Sequence, residues 1–134
     1  IWSTEFTQGY TAAQTGMDRW IDWDKGDFVG RQAALEERES NAPGQVVVTL
    51  EVDATDADAS GYEPIWSEDQ RVGFVTSGGY GHTLGKSLAM AMVDTDRAAV
   101  GSPLTVHIVG IETPAKVIAA SPYDPAGKAM RTTK

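Results

Sequence analysis

Residues 71–94 read RVGFVTSGGYGHTLGKSLAMAMVD, two apolar segments on either side of a glycine-rich centre. The period of two in Arg71–Thr76 predicts a strand. The side chains expected on one side of this strand are Val72, Phe74 and Thr76. Ser87–Asp94 is apolar on both faces, which predicts a central strand that is covered on both sides.

The centre of this stretch ends in Gly85-Lys86-Ser87, which is similar to the end of a phosphate-binding loop. A P-loop requires a glycine that is separated from the Gly-Lys pair by four residues, and Tyr80 occupies that position. The residues that follow predict a strand, so no helix N-terminus would face a phosphate. We therefore interpret 77–87 as a tight connection in which glycines allow positive φ or close backbone approach, namely Gly78, Gly79 and Gly81.

Further strands are predicted on both sides of residues 71–94. Residues 46–52 alternate with a period of two, residues 64–66 form a short apolar segment, and alternation returns at 104–108 and 115–119 with a turn at Gly110 between them. Short strands with Gly and Pro turns predict a mainly β fold, a small antiparallel Greek-key-like barrel of about six strands. Closing the barrel would remove exposed strand edges.

One helix is predicted before the barrel, at Phe28–Ser40, with Asp27 as its N-cap. The carboxylates expected to remain in solvent are Glu36, Glu37 and Glu39. Asn41-Ala42-Pro43-Gly44 should end this helix. We therefore divide the chain into residues 1–40, the end of a preceding domain with a connecting helix, and residues 41–134, the barrel domain.

Residues 1–26 are rich in aromatic side chains and poor in periodicity; the aromatic residues are Trp2, Phe6, Tyr10, Trp20 and Trp23. Two interpretations stay open. The aromatics pack against something outside this chain, or they cap the barrel's own core. Because the chain starts abruptly at Ile1-Trp2-Ser3 without Met, we expect it to be a piece of a longer protein.

Composition narrows the classes of partner. The 134 residues carry a formal net charge of −8, and an acidic surface repels phosphates, so we expect no nucleic-acid partner. No run of about eighteen apolar residues is present, so we expect no membrane partner. Without cysteine there is no thiolate metal site, and His82 and His107 have no carboxylate pair beside them in sequence. We predict no metal site and no catalytic residue, and expect His107 to be a surface or cross-strand residue.

The carboxy-terminal segment 121–131 is predicted to leave the last strand as an extended chain. It carries the Tyr123 ring and two cations on an otherwise acidic protein. The segment either folds back over a site and meets an anionic ligand, or is an ordinary tail fixed by Tyr123.

Two motifs together resemble a known family. Lys25-Gly26-Asp27-Phe28-Val29-Gly30-Arg31 is similar to the Lys-Asp-Phe-Ile-Gly-Arg segment of the glycine cleavage T-protein (aminomethyltransferase) family, and 72–91 resembles the Gly-x-Val-Thr-Ser-Gly segment of its terminal barrel. The ending from Tyr123-Asp124-Pro125 to Arg131 resembles that of the dimethylglycine and sarcosine dehydrogenase branch. The resemblance covers nearly the whole chain.

The resemblance implies a carboxy-terminal barrel that walls one side of a tetrahydrofolate channel. In the family the catalytic aspartate and most pteridine contacts lie in earlier domains, so we expect this piece alone to be inactive. By position, Arg131 is the candidate for the folate glutamate tail, with Tyr123 nearby. Upstream domains of the same chain, in that branch including an FAD domain, would be its partners. The implied location is cytoplasmic, or the mitochondrial matrix in a eukaryote.

One position departs from the family pattern. Residues 11–17 correspond to Thr-Pro-Leu-Glu-Ala-Gly-Leu, and Gln14 stands where the family has Glu. The substitution removes a carboxylate, so any role of that position toward folate does not carry over.

The alternative to a folate-walling barrel is a structural or subunit-contact module without ligand contacts.

Overall fold

The computed structural model describes residues 1–40 and 44–131. Its elements are a helix α1 (Arg31–Ser40), six strands, and a short helix α2 (Lys128–Arg131). The strands are β1 (Gln45–Val52), β2 (Pro64–Ser67), β3 (Gln70–Gly81), β4 (Lys86–Asp94), β5 (Pro103–Ile108) and β6 (Ile111–Ile118). Single 3-10 turns lie at Asp18–Trp20 and Thr95–Arg97.

The six strands close into an antiparallel barrel in the order β1-β4-β3-β2-β5-β6, with β6 pairing back to β1. Strands β2, β3 and β4 follow one another as hairpins, whereas β1 lies beside β4. This arrangement is a Greek key. The predicted mainly β, Greek-key-like barrel of about six strands is therefore confirmed. Closure leaves no strand of the barrel with an unpaired edge along its full length.

Alternate residues of the strands fill the barrel interior. The fully buried members of this core include Leu50, Ile65, Val75, Ala91, Val93 and Val106. Strand β4 lies between β1 and β3, as predicted, and Met92 is fully buried although both its neighbours in sequence belong to the core. Since successive side chains of a strand point to opposite faces, β4 is covered on both faces at this point.

Two irregularities in β3 overturn one sequence prediction. The register shifts beside Val72 in the pairing with β2, and beside Thr76 in the pairing with β4. Each extra residue changes the facing of the side chains that follow it. As a result Val72 and Val75 both join the core and Phe74 is only half-buried. The prediction that Val72, Phe74 and Thr76 share one side was wrong.

The start of the helix also differs from the prediction. Helix α1 begins at Arg31, so Asp27 lies outside it and is not its N-cap. The chain turns before the helix, with Gly30 at φ +86° and the Arg31 amide donating to the Phe28 carbonyl at 3.0 Å. Glu37 is half-buried rather than fully in solvent. The predicted stop at 41–44 falls largely on residues 41–43, which lie outside the described residues, and the domain boundary at 40/41 stays a prediction.

Candidate functional site

A buried carboxylate attaches the amino-terminal segment to the barrel. The Glu5 side chain is fully buried and accepts hydrogen bonds from the Ser77 hydroxyl, from Thr4 Oγ1 at 2.9 Å and from the Ile1 α-amino group. Burial raises the pKa of Glu5, but hydrogen bonds from the α-amino group and Ser77 outweigh it and lower the pKa to about 2. Glu5 is therefore ionised in the folded chain and joins residues 1–5 to β3.

A second attachment runs through Gln14. Its backbone carbonyl accepts from the Val47 amide on β1 at 2.7 Å, and its side-chain Oε1 accepts from the Thr11 amide at 3.0 Å. Thr11 in turn donates through Oγ1 to Glu37 of α1 at 2.7 Å. The amide of Gln14 thus holds a turn, which gives this position a structural role without the carboxylate found in the family pattern.

The attached segment carries exposed apolar side chains, which we call the amino-terminal apolar face. Its members are Ile1, Trp2, Met17, Trp20 and Val29. Trp2 is 81% exposed and Trp20 is 73% exposed. None of the five aromatic side chains of residues 1–26 belongs to the barrel core. The arrangement favours packing against another body over capping of the barrel core.

Two shallow depressions adjoin this face. One, of about 370 Å³, lies between residues 11–13 and α1 and is lined by Trp23, Ala33 and Ala34. The other, of about 340 Å³, is lined by Trp2, Phe6 and Tyr10. Both depressions have mainly apolar linings and are large enough to take side chains from a partner.

The two predicted cofactor-binding residues lie in the carboxy-terminal segment, and both are exposed. Tyr123 is 58% exposed, and Arg131 ends helix α2. The prediction of an extended segment was wrong at 128–131, because the Asp124 carboxylate accepts from the amides of Lys128 at 2.8 Å and Ala129 at 2.7 Å and so starts a helical turn. The Arg131 guanidinium lies alongside Gly127, where an added Cβ would be 3.8 Å from Nη2.

A charged cluster crosses three strands at one end of the barrel. Glu51 on β1 accepts a hydrogen bond from Lys86 of β4 at 2.6 Å and lies 3.1 Å from the Lys116 ammonium of β6. These contacts, first with Lys86 and then with Lys116, hold the pKa of Glu51 below its usual value. The cluster borders a cleft of about 660 Å³. Sequence reasoning missed it, although Glu51 and Lys116 both fall at outward positions of predicted strands.

The histidines take structural positions. The His107 ring stacks on Trp66 with centroids 5.4 Å apart and lies opposite Glu112 on β6, which confirms the predicted cross-strand placement. His82 makes an edge contact with Tyr80 at 5.1 Å. Within residues 1–40 and 44–131, no group of three or more His, Asp or Glu side chains could hold a metal ion.

The glycine-rich connection at residues 77–87 consists of the end of strand β3, a turn and the start of strand β4. Gly78 lies within β3, and a Cβ there would come 2.4 Å from the Ala59 carbonyl oxygen, so only glycine allows this approach. The reversal itself falls at Gly81–Gly85, where the amides of Leu84 and Gly85 both donate to the Gly81 carbonyl at 2.9 Å. Strand β4 follows directly, so the Gly85-Lys86-Ser87 sequence does not face a helix N-terminus.

The closed Greek-key barrel, preceded by one helix, can now be compared with known proteins. The profile of the Glycine cleavage T-protein C-terminal barrel domain matches residues 45–124, which spans all six strands. The chain belongs to the glycine cleavage T-protein family. The match makes β1 to β6 a T-protein barrel and places Tyr123 inside the matched region.

Relatives of the T-protein barrel fall into two groups by name. An aminomethyltransferase of Koribacter versatilis is 32% identical over 92% of this chain and 32% of its own length. An aminomethyltransferase of Cutibacterium acnes is 42% identical over 73% of this chain. A mitochondrial dimethylglycine dehydrogenase of Mus musculus is 32% identical over 87% of this chain and 14% of its own length. The chain therefore spans about a third of the Koribacter versatilis aminomethyltransferase, about a quarter of the Cutibacterium acnes one and about a seventh of the dehydrogenase.

A solved structure supports the fold. The glycine cleavage system aminomethyltransferase T from Bartonella henselae superposes with a TM-score of 0.79 over 88% of this chain and 33% of its own length, at 22% identity. Within the described residues of the T-protein barrel, no helix is long and apolar enough to cross a membrane.

Proposed function

We propose that this chain is the carboxy-terminal barrel of a folate-dependent one-carbon transferase, either an aminomethyltransferase or a dehydrogenase of the dimethylglycine or sarcosine type. The match of residues 45–124 to the T-protein barrel carries the proposal, and the amino-terminal apolar face supports a contact with other domains. Exposed Trp2 and Trp20 lie on a segment that Glu5 and Gln14 hold firmly against the barrel. A rigidly presented aromatic surface is typical of a contact with another domain.

The lengths of the relatives also support a contact between the barrel and other domains of the same chain. The chain spans about a third of the aminomethyltransferases it matches, so in proteins of that organisation a barrel contacts further domains of its own chain. In this proposal the other domains of the longer protein pack against the amino-terminal apolar face. The barrel would then wall one side of a tetrahydrofolate channel formed at that contact.

Arg131 and Tyr123 are the residues we assign to folate. Arg131 is an exposed cation on a chain of net charge −8, and a guanidinium can bind a carboxylate through two parallel hydrogen bonds. The exposed Tyr123 ring offers an apolar surface to the same ligand. These side chains fit the carboxylate end of a folate, whose pteridine ring would carry the one-carbon unit in another domain.

The remaining assignments rest on the family resemblance of the sequence. FAD belongs to this proposal only in the dehydrogenase alternative, in a domain upstream of the barrel. The parent would act in the cytoplasm, or in the mitochondrial matrix of a eukaryote; the mouse relative is a mitochondrial dimethylglycine dehydrogenase.

A second candidate function is a structural or subunit-contact module without ligand contacts. The apolar face favours it equally, because that face requires a partner but no ligand. The two candidate functions differ only in whether Arg131 and Tyr123 contact folate.

Folate titration of the full-length parent separates them. We expect Arg131→Ala to weaken folate binding about tenfold, since loss of one charge-assisted pair costs about 1.4 kcal/mol. Arg97→Ala is the matched control, because Arg97 is an exposed cation that pairs only with the adjacent Asp96 among the described ion pairs. Equal folate affinity in both variants would remove Arg131 from the site and favour the structural module.

The apolar face has its own test. Trp20→Ser in the 134-residue chain should reduce aggregation without lowering the melting temperature, because the ring is exposed there. In the full-length parent the same change should destabilise the protein. A fall in melting temperature of the isolated chain would instead show that Trp20 packs on the barrel itself.

A further inference from the structure

We propose that a second apolar patch, at the end of the barrel where β5 turns into β6, packs into a recess of another domain of the longer protein. The patch consists of Tyr62, Val109 and Ile111, and we call it the hairpin-end patch. All three side chains are exposed, and Val109 is 87% exposed. The proposal rests on the proposed function, because it requires further domains of the same chain.

The turn between β5 and β6 has a backbone that suits its sequence poorly. Ile108 pairs with Ile111, so the loop has two residues, Val109 at φ +49° and Gly110 at φ +82°. Such loops favour Asn-Gly or Asp-Gly, whereas a β-branched residue at positive φ is an outlier. Since Val109 is almost fully exposed, packing on the barrel does little to offset this conformation. A residue that suits neither its backbone nor the solvent is consistent with packing against a partner.

Tyr62 brings an aromatic ring to the same end of the barrel. Ile65 of β2 pairs with Val106 of β5 in an antiparallel ladder. Tyr62 lies three residues before Ile65 and Val109 lies three residues after Val106, so both lie at one end of these neighbouring strands. Tyr62 also has positive φ, +71°, and its amide donates to the Val75 carbonyl at 2.7 Å. The ring is therefore presented from a backbone that the barrel holds in place.

The chain around the patch is acidic, which indicates the chemistry of the partner. Residues 53–63 and 108–115 contain five carboxylates and no Lys or Arg; the carboxylates are Asp53, Asp56, Asp58, Glu63 and Glu112. An apolar recess bordered by Lys or Arg would complement this surface. A second copy of the chain would meet it with the same acidic residues and a net charge of −8, which disfavours self-association.

The hairpin-end patch is separate from the amino-terminal apolar face. The amino-terminal segment is attached at Val47 in the first half of β1 and at Ser77 on β3. The β5–β6 turn lies beyond the other end of β1, where Val52 pairs with Ala115 of β6. The chain spans about a third of the aminomethyltransferases it matches, so proteins of that organisation have further domains to contact both surfaces.

Cysteine labelling tests the contact, because the 134-residue chain has no cysteine of its own. Val109→Cys is labelled with N-ethylmaleimide in this chain and in the full-length parent, and the labelled peptide is quantified by mass spectrometry. Val100→Cys is the matched control, because Val100 is also exposed, at 71%, but lies between β4 and β5 at the other end of the barrel. We expect similar rates at both positions in the chain, and in the parent a rate about tenfold lower at Val109→Cys alone.

Charge reversal tests whether the recess is basic. In the parent, Glu112→Lys should raise the labelling rate of Val109→Cys toward that of the isolated chain, because like charges across a contact repel. Glu68→Lys is the control, since Glu68 is an exposed carboxylate in the β2–β3 turn at the opposite end of the barrel, and it should leave the rate unchanged. No effect of Glu112→Lys would contradict a basic recess.

Three outcomes would overturn the contact itself. One is equal labelling of Val109→Cys in the chain and in the parent, and another is equal slowing of Val109→Cys and Val100→Cys in the parent. The third is a labelling rate of the isolated chain that falls as its concentration rises, which would assign the patch to a second copy. Trp20→Cys separates this proposal from the proposed function. Slow labelling of Trp20→Cys with fast labelling of Val109→Cys in the parent would remove the hairpin-end contact and leave the amino-terminal one.

Discussion

The Ser77 hydroxyl on β3 donates a hydrogen bond to Oε1 of Glu5, a residue that lies 72 positions earlier in the chain. The Glu5 carboxylate is fully buried although its segment forms neither helix nor strand. A buried charge is tolerated only where hydrogen bonds replace its water. This contact therefore fixes where the amino-terminal apolar face sits on the barrel.

Removing the carboxylate should destabilise the protein. We expect Glu5→Ala to lower the free energy of unfolding by about 2–3 kcal/mol, because Ser77 loses a charged hydrogen-bond partner and a buried space opens. Urea denaturation followed by tryptophan fluorescence measures it. Glu39→Ala, at an exposed position of α1, is the control and should change stability little. Equal effects of both substitutions would contradict the role assigned to Glu5.

The same carboxylate should make stability depend on pH in the acid range. In the 134-residue chain, where the Ile1 α-amino group contacts this carboxylate, the folded pKa of Glu5 is about 2, below the ordinary value of 4.5, so the folded state binds the proton less readily than the unfolded state. The stabilisation is then fully present above pH 4.5 and is lost as the pH falls toward 2. Comparing unfolding free energies at pH 6 and pH 3 should show a drop that Glu5→Gln reduces. An identical drop in Glu5→Gln would assign the acid sensitivity to other groups.

Substitution by alanine should destabilise the protein much more at Gly78 than at the adjacent Gly79. At Gly78 an added Cβ would lie 2.4 Å from the Ala59 backbone oxygen, whereas at Gly79 nothing lies within 4 Å. We expect Gly78→Ala to cost about 3 kcal/mol or more, since backbone must move, and Gly79→Ala to cost less than about 0.5 kcal/mol. Thermal melts of the two variants provide the comparison. Equal melting temperatures would show that the 54–60 loop does not press on β3.

Ser87→Ala should stabilise the protein. The substitution removes a buried hydroxyl without a partner among the described residues, so we expect a gain of about 1 kcal/mol. Ser3→Ala, at an exposed position, should be neutral. Chemical denaturation measures both. A loss of stability in Ser87→Ala would mean that the hydroxyl is satisfied in solution.

Loss of the Asp124 side chain should release the final helix. Its carboxylate accepts from the Lys128 and Ala129 amides, and losing a side-chain acceptor for the first amides of a helix costs about 1 kcal/mol. We expect Asp124→Ala to increase hydrogen exchange of these two amides, while Asp124→Asn keeps most of their protection. Since α2 carries Arg131, the alanine variant of the full-length parent should also weaken folate binding. Unchanged exchange in Asp124→Ala would show that the cap is not needed.

Local pattern was enough to predict most of the barrel. The period of two in Gln45–Val52 and the doubly apolar Lys86–Asp94 are properties of neighbouring residues, and both segments are strands. In the first strand the alternating burial is seen only at Leu50 and Val52. The start of α1 was not predictable from caps alone. Asp27 has the right chemistry, but Gly30 adopts φ +86° and delays the helix to Arg31.

The charged cluster beside the cleft could not be predicted from the sequence, for a different reason. Glu51, Lys86 and Lys116 are far apart in the chain, and their meeting depends on the order β6-β1-β4 and on its register. A shift of one residue would send each side chain to the other face. Nothing in the local pattern of any of the three strands encodes that register.

The strands and their turns can be predicted from the amino-acid sequence, because alternation and glycine placement act over a few neighbouring residues, and the family follows from the resemblance of its motifs. The tertiary structure alone decided where β3 bulges, that Glu5 is buried against Ser77, and which charges border the cleft. The physical reason is distance along the chain. Contacts between residues 5 and 77 or between 51, 86 and 116 exist only after the barrel has closed, and closure is a property of all six strands together.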